Sequence, residues 1–451
     1  MQDLLKTTQD SSPHLKRVLG LWDLVFYGII VITITAPLPI FGIVSIQARG
    51  HVVTSILIAM VAMLFTAVSY GRMASVYPLA GSAFSYVGRS IHPAAGFLTG
   101  WGMVMDYMLN PILCSIFCSK TMMNVLPGIP YAVFAIFFAL LFTVLNLRGI
   151  KTNARNNQIL VIVLSIVVLI FLIYGIRYLI KLPVHTPSEF IKPFYDPATF
   201  SLSAVLSGTS IAALTYIGFD GISTLSEEVR NPRRNIMLAT VLTCFFTGII
   251  ASLEVYVAQL VWGTWGDFPD ADTAFVFVAK KAGGDLLFQL INISLLVSIM
   301  GAGIGAMLGA ARLLYGMGRE NALPRKFFGM VDPKRFIPRN NVLFVGAVTL
   351  IGVFVLSFKL AAEMLNFGAF IAFMGVNLSV FFHFFIKEKN RRFINIVPPL
   401  IGFLFCFFIW INLSIHAKIA GSIWVLAGMI VGFIKTKGFR KDLFSFTTPV
   451  D

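Results

Sequence analysis

A chain of 451 residues that is 57% apolar and only 12% charged, with a mean hydropathy of +0.85, is not a soluble globular protein, which would carry about twice that charge. A net charge of +15 would suit a nucleic-acid binder, but the basic residues are partitioned loop by loop, which excludes that class. Hydrophobic runs near 20 residues long predict an all-α polytopic membrane protein with twelve transmembrane helices. In chain order the spans are 21–46, 52–76, 94–123, 130–147, 157–179, 202–225, 236–263, 286–311, 342–358, 361–386, 395–415 and 419–434.

Of the 35 basic residues, 26 fall in the N-terminal tail and every second loop, eight in the opposite loops, and Lys120 lies inside a span. The positive-inside rule therefore predicts an integral protein of the cell (inner or plasma) membrane with both termini cytoplasmic and an even number of spans. The expected organisation is a cytoplasmic tail 1–18, one transporter domain 19–435 and a cytoplasmic tail 436–451. Met1–Pro13 is polar and no small-residue cleavage pattern follows, so the first apolar stretch is expected to remain as a span. Cys114, Cys118, Cys244 and Cys406 fall inside predicted helices without histidine neighbours, so no metal site is expected.

Two spans are interrupted. Thr33-Ile34-Thr35-Ala36-Pro37-Leu38-Pro39 breaks the first, and Thr215-Tyr216-Ile217-Gly218-Phe219-Asp220-Gly221 breaks the sixth. Each break begins roughly 12 residues into its segment, near the bilayer midplane at about 1.5 Å per residue. Broken backbone is tolerated at that depth only where it lines a cavity or is packed in protein, and paired breaks point to a transport site. By the loop count the two broken spans enter from opposite sides. This predicts a 5+5 inverted repeat, about 19–180 and 200–387, with spans 11 and 12 (about 395–434) outside it. Gly301, Gly303, Gly305 and Gly309 in the eighth span allow close helix packing.

The intramembrane polar residues supply the candidate site. Asp106 lies about 18 Å into the third span, a depth at which a carboxylate marks a substrate or proton pathway unless a neighbouring helix pairs with it. Asp220 closes the second break, where it would touch substrate, take a proton or accept hydrogen bonds from the following half-helix. Tyr216 and Phe219 flank it as rings that can face a cation or pack. Thr33 and Thr35 can satisfy freed backbone or contact substrate. Pro37 and Pro39 remove two N–H donors and so weaken any carboxylate cradle in the first break. The substrate-binding set is accordingly Thr33, Ile34, Thr35, Ala36, Pro37, Asp106, Tyr107, Tyr216, Gly218, Phe219 and Asp220. Asp106, Asp220, Glu227, Glu228 and Arg319 form the proton or gate set. Glu254 and Lys120 read either as an external gate pair or as locally satisfied charges.

Several segments together resemble the amino acid–polyamine–organocation (APC) permeases. They are Gly218-Phe219-Asp220 followed by Ser226-Glu227-Glu228-Val229-Arg230-Asn231-Pro232-Arg233-Arg234, then Arg312–Pro324, and Pro78-Leu79-Ala80-Gly81-Ser82-Ala83. Phe41–Ser45, Trp101 with Asp106-Tyr107, and Asn366-Phe367-Gly368-Ala369 look like the subgroup that imports putrescine. The resemblance implies the twelve-helix transporter fold and secondary transport of amino acids or polyamines by alternating access. Two departures stand out. Amino acid carriers of the family commonly have a Gly-Ser-Gly type break where this chain has Ala36-Pro37-Leu38-Pro39. Proton-coupled relatives often place a lysine in the fifth helix, where Leu164 stands here. Proton transfer would then fall to an acidic group, or transport would be facilitated or by exchange.

The expected partners are a small amine or amino acid, the bilayer and protons, with no cofactor and no nucleic acid. An amino acid/amine exchanger is the alternative within the class. A membrane-embedded enzyme is the remote one, because the six histidines are scattered and no H-E-x-x-H, G-x-S-x-G or Walker-type motif occurs.

Overall fold

The computed structural model describes residues 19–77, 82–148, 154–182, 186–319, 323–332, 335 and 337–435. Both tails, Pro78–Gly81 and Glu320–Ala322 lie outside the described residues, as do the side chains of Glu227 and Glu228. Within the described residues the chain is helical, and its one β feature is an isolated bridge between Leu19 and Val229.

The helices are α1 (Leu21–Ile32), α2 (Phe41–Gln47), α3 (Val52–Val76), α4 (Ser82–Ser90), α5 (Pro93–Val125), α6 (Tyr131–Leu147), α7 (Ala154–Lys181) and α8 (Pro187–Ile191). They continue with α9 (Leu202–Ala212), α10 (Pro232–Trp262), α11 (Ala274–Arg319), α12 (Arg325–Phe328), α13 (Arg339–Val355), α14 (Phe358–Val380), α15 (Val397–Ile411) and α16 (Ile415–Lys435). Nine helical segments of the described residues are long and apolar enough to cross a membrane, and α1, α6 and α13 are shorter apolar helices. The chain is therefore an integral, multi-pass membrane protein.

Local chemistry sets the helix ends. Pro93 and Pro232 occupy first-turn positions, where a missing N–H costs nothing. Ser201 and Ser357 accept N–H bonds from Ala204 and Leu360, capping α9 and α14. Apolar side chains then turn outward as well as inward. On α7, Ile162, Ile166, Leu169 and Ile173 are all more than half exposed, a surface no soluble protein would keep.

The structure departs from the sequence reading in three places. An extra amphipathic helix, α4, precedes the third span. The eighth apolar helix starts at Ala274 rather than near 286 and bends at Gly284, whose φ of 73° and ψ of −164° are not helical. The second half of the sixth span is a 3-10 helix, Phe219–Glu228, rather than an α-helix.

Small residues bring helices into backbone contact around the site. A Cβ on Gly368 would stand 2.4 Å from the carbonyl oxygen of Gly102 and 3.3 Å from the backbone nitrogen of Asp106. Thus α14 and α5 cross at this pair of glycines, immediately beside the buried carboxylate. Trp101 and Trp424 lock α16 onto α5, with rings 5.0 Å apart and reciprocal indole N–H bonds to each other's carbonyls at 2.8 and 2.9 Å.

Candidate functional site

Both sequence breaks are breaks in the structure. α1 stops at Thr33, whose φ of 67° is an uncommon value for a β-branched residue, and α2 resumes only at Phe41. α9 gives way to a 3-10 turn, Ala213–Tyr216, and then to Gly218 with φ 116°. A side chain at Gly218 would be strained there and would also approach Val31 Cγ1 to 3.0 Å, so glycine suits this hinge on two counts.

Two buried tethers hold the breaks. Thr35 Oγ1 and Ser298 Oγ share a hydrogen bond of 3.1 Å, fixing the first break to α11. The Asn366 amide donates to the carbonyl of Ser210, fixing the end of α9 to α14. Neither Ser298 nor the Asn366 side chain was singled out from sequence, although Asn366 lies in one of the segments that carry the family resemblance.

Asp106 is 9% exposed in the middle of α5, and no described residue gives its carboxylate a hydrogen bond or an ion pair. Asp220 stands within electrostatic range of it, and Tyr70 and Tyr107 lie within range of both carboxylates. Asp220 is half-buried in the second break, where its backbone carbonyl accepts from the Ser223 hydroxyl at 2.6 Å and the Gly221 N–H closes a turn on the Gly218 carbonyl at 3.0 Å. The Tyr107 ring packs on Gly309 of α11, where a Cβ would be 3.0 Å from the ring edge.

Phe219 belongs to an aromatic block with Tyr70 at 5.4 Å and Phe373 at 5.4 Å, and Tyr86 lies 6.2 Å from Tyr70. The Tyr70 hydroxyl is buried without a partner among the described residues. Thr33, Ile34 and Ala36 are half-buried in the first break, and Pro37 is buried.

Other predicted residues are not gathered at this point. Tyr216 is turned toward α3, donating from its hydroxyl to the carbonyl of Ile56 at 2.9 Å and packing beside Gly248 of α10. Arg319 is exposed at the C-terminal end of α11. Lys120 does not pair with Glu254. Its ammonium is 2.6 Å from Asp272 and 3.5 Å from Asp270, while both oxygens of Glu254 are buried without a partner among the described residues. A further acid, Glu363 of α14, is buried at 1% exposure. The rule that flags Asp106, a lone carboxylate inside an apolar run, applies to Glu363 equally.

Among the described residues, the charged side chains buried below a tenth of their surface are Asp106, Glu254 and Glu363, with no lysine or arginine. Among the described residues these buried acids have no equally buried basic side chain beside them. Neither the described residues nor their clustering offers a set of metal ligands.

Comparison with known proteins fits this arrangement. The family model described as amino acid permease matches residues 30–443. The chain belongs to the amino acid permease family. The permease is 34% identical over 453 residues to the low-affinity putrescine importer PlaP of Escherichia coli, covering 97% of each chain. It is 26% identical to the branched-chain amino acid permease BcaP of Lactococcus lactis, over 94% of this chain and 96% of that protein. It is also 26% identical to the methylthioribose transporter of Bacillus subtilis, over 96% of each. These are transporters, and the chain is a transporter rather than an enzyme.

Proposed function

We propose that this permease carries a small organic cation, an amine such as putrescine or a cationic amino acid, by alternating access across the cell membrane. One observation carries the reading: Asp106, buried in a membrane-spanning helix, has no hydrogen-bond or ion-pair partner among the described residues. A lone carboxylate so placed costs several kcal/mol, and an ammonium group arriving as cargo offsets that cost. Similarity over nearly the full length to a putrescine importer supports the amine class.

The cargo lies between the two breaks, against Asp106, Tyr107 and Asp220, with Tyr70, Phe219 and Phe373 closing one side. Spans 1–5 and 6–10 form an inverted repeat within twelve spans, and both termini are cytoplasmic. The basic residues of alternate loops, together with the three shorter apolar helices beside the nine long ones, support that topology. Protons are carried by an acidic group if they are coupled at all, because Leu164 fills the lysine position of proton-coupled relatives.

Uptake of labelled putrescine into proteoliposomes, with and without substrate inside, tests the reading. Uptake into empty vesicles supports import, and uptake only into preloaded vesicles supports exchange. Absence of transport for primary amines and cationic amino acids alike would remove it.

A further inference from the structure

We infer that the cytoplasmic ends of α3 and α14 form a binding site for an anionic phospholipid of the inner leaflet. The inference rests on the cytoplasmic placing of these ends proposed above, and it is separate from the cargo site.

A π-helical turn, Phe381–Lys387, continues α14, and the run Lys387-Glu388-Lys389-Asn390-Arg391-Arg392 leads from it toward α15. Arg72, near the end of α3, reaches this connection. Its guanidinium lies over the Phe384 ring, 4.2 Å from the centroid, and its Nη2 donates to the side-chain oxygen of Asn395 at 2.6 Å. Arg392 lies within electrostatic range of the same guanidinium. The Lys387 ammonium donates to the carbonyl of Arg89, at the end of α4, at 3.2 Å. Basic groups from α3 and from the loop after α14 thus converge beside the end of α4.

Counter-charge is short at this point. Among the described residues no carboxylate comes within ion-pair distance of Arg72, Lys387, Lys389, Arg391 or Arg392. Glu388 is the one acid of the run, and its carboxylate is 3.1 Å from His383 Nε2. The Arg72 Nε–H is buried without a hydrogen-bond partner among the described residues. The positive-inside rule accounts for basic residues in an exposed loop. It does not account for a half-buried guanidinium set near a second one with only an amide and a ring as partners. A phosphate supplies the missing charge, and the planar guanidinium suits it.

The loop is folded by its own hydrogen bonds. The Asn390 N–H donates to the Phe384 carbonyl at 2.8 Å, and the Asn395 amide donates to the Asn390 carbonyl at 3.3 Å. An apolar rim adjoins the basic run: Ile386 is 48% exposed, Phe393 72% and Ile394 37%. A phospholipid uses both surfaces, its phosphate against the arginines and its acyl chains against the rim, whereas a soluble phosphate ester would use only the first.

The test is native mass spectrometry of the delipidated full-length protein with phosphatidylglycerol, phosphatidylcholine or glycerol phosphate added. Phosphatidylglycerol is expected to bind most tightly. Arg391→Gln with Arg392→Gln, both exposed, is expected to weaken it by about fivefold for each charge removed, with phosphatidylcholine unchanged. Glu388→Gln, which removes the one acid, is expected to tighten it. Arg233→Gln with Arg234→Gln, exposed at the start of α10, is expected to leave it as in the wild type.

Equal binding of the two lipids would overturn the inference. So would glycerol phosphate binding as tightly as phosphatidylglycerol, which would mark a soluble ligand. An equal loss in the Arg233 and Arg234 variant would assign the effect to general surface charge and overturn it too. Each of these is read by lipid binding, so failure of the folded protein to take up amines would strike the proposed function and leave this site standing.

Discussion

Asp106 of α5 lies within electrostatic range of Asp220, which closes the second helix break. In the proposed function Asp106, whose carboxylate has no hydrogen bond or ion pair among the described residues, is the group that faces the cargo. The helix crossing at Gly102 and Gly368 fixes the backbone of Asp106 from behind, so the carboxylate is presented by packed helices rather than by a loop.

That crossing predicts a hierarchy of glycine substitutions. Gly368→Ala places a methyl group 2.4 Å from a backbone oxygen, whereas the Cβ of Gly102→Ala meets its nearest atom at 3.2 Å. The first should destabilise by about 1–3 kcal/mol and lower uptake by misplacing Asp106, and the second should cost less. Thermal unfolding in detergent, read beside uptake, checks this. Equal melting temperatures for both variants and the wild type would contradict the close approach.

Lys120 joins α5 to the segment before α11 through Asp272 and Asp270. With side chains 30% and 16% exposed, Lys120 and Asp272 should couple by only about 0.5–1 kcal/mol, less at high salt. A double-mutant cycle with Lys120→Met and Asp272→Asn in thermal unfolding measures the coupling. Strict additivity at low salt would show that the pair contributes nothing to stability.

Glu254 presents the opposite situation, two buried oxygens with no partner among the described residues. Glu254→Met, similar in volume and without polar atoms, should raise thermal stability by about 1–2 kcal/mol, since a buried unsatisfied group is removed. A lower melting temperature would mean that the carboxyl makes an interaction the protein needs.

Much of the architecture is legible in the sequence because lipid imposes a simple rule, that apolar runs of a given length become helices. The run 52–76 is α3 to the residue, and 130–147 differs from α6 by one residue at its start. Proline and glycine at midplane depth also announce both breaks. What the rule misses is local or long-range. Lys280, Lys281 and the Gly283-Gly284 pair interrupt the apolar run, so the start of α11 at Ala274 is hidden. The 3-10 geometry of Phe219–Glu228 is a backbone choice that apolar periodicity does not encode.

The site shows the same division. Asp106 and Asp220 stand out because charge inside an apolar run is costly, and the fold sets them within electrostatic range of each other. Tyr216 sits in the same break as Asp220, but its hydroxyl is turned to Ile56, a direction decided by how α3 packs. The tether from Thr35 to Ser298 spans 263 positions and becomes visible only once the helices are assembled.

The most direct measurement is putrescine uptake by Asp106→Asn in proteoliposomes, beside its thermal unfolding. Loss of the counter-charge should reduce uptake at least a hundredfold while the melting temperature holds or rises, because an uncompensated buried carboxylate has been removed. Uptake undiminished in the folded variant would contradict the account, as would a collapse of stability showing that Asp106 serves the fold and not the cargo.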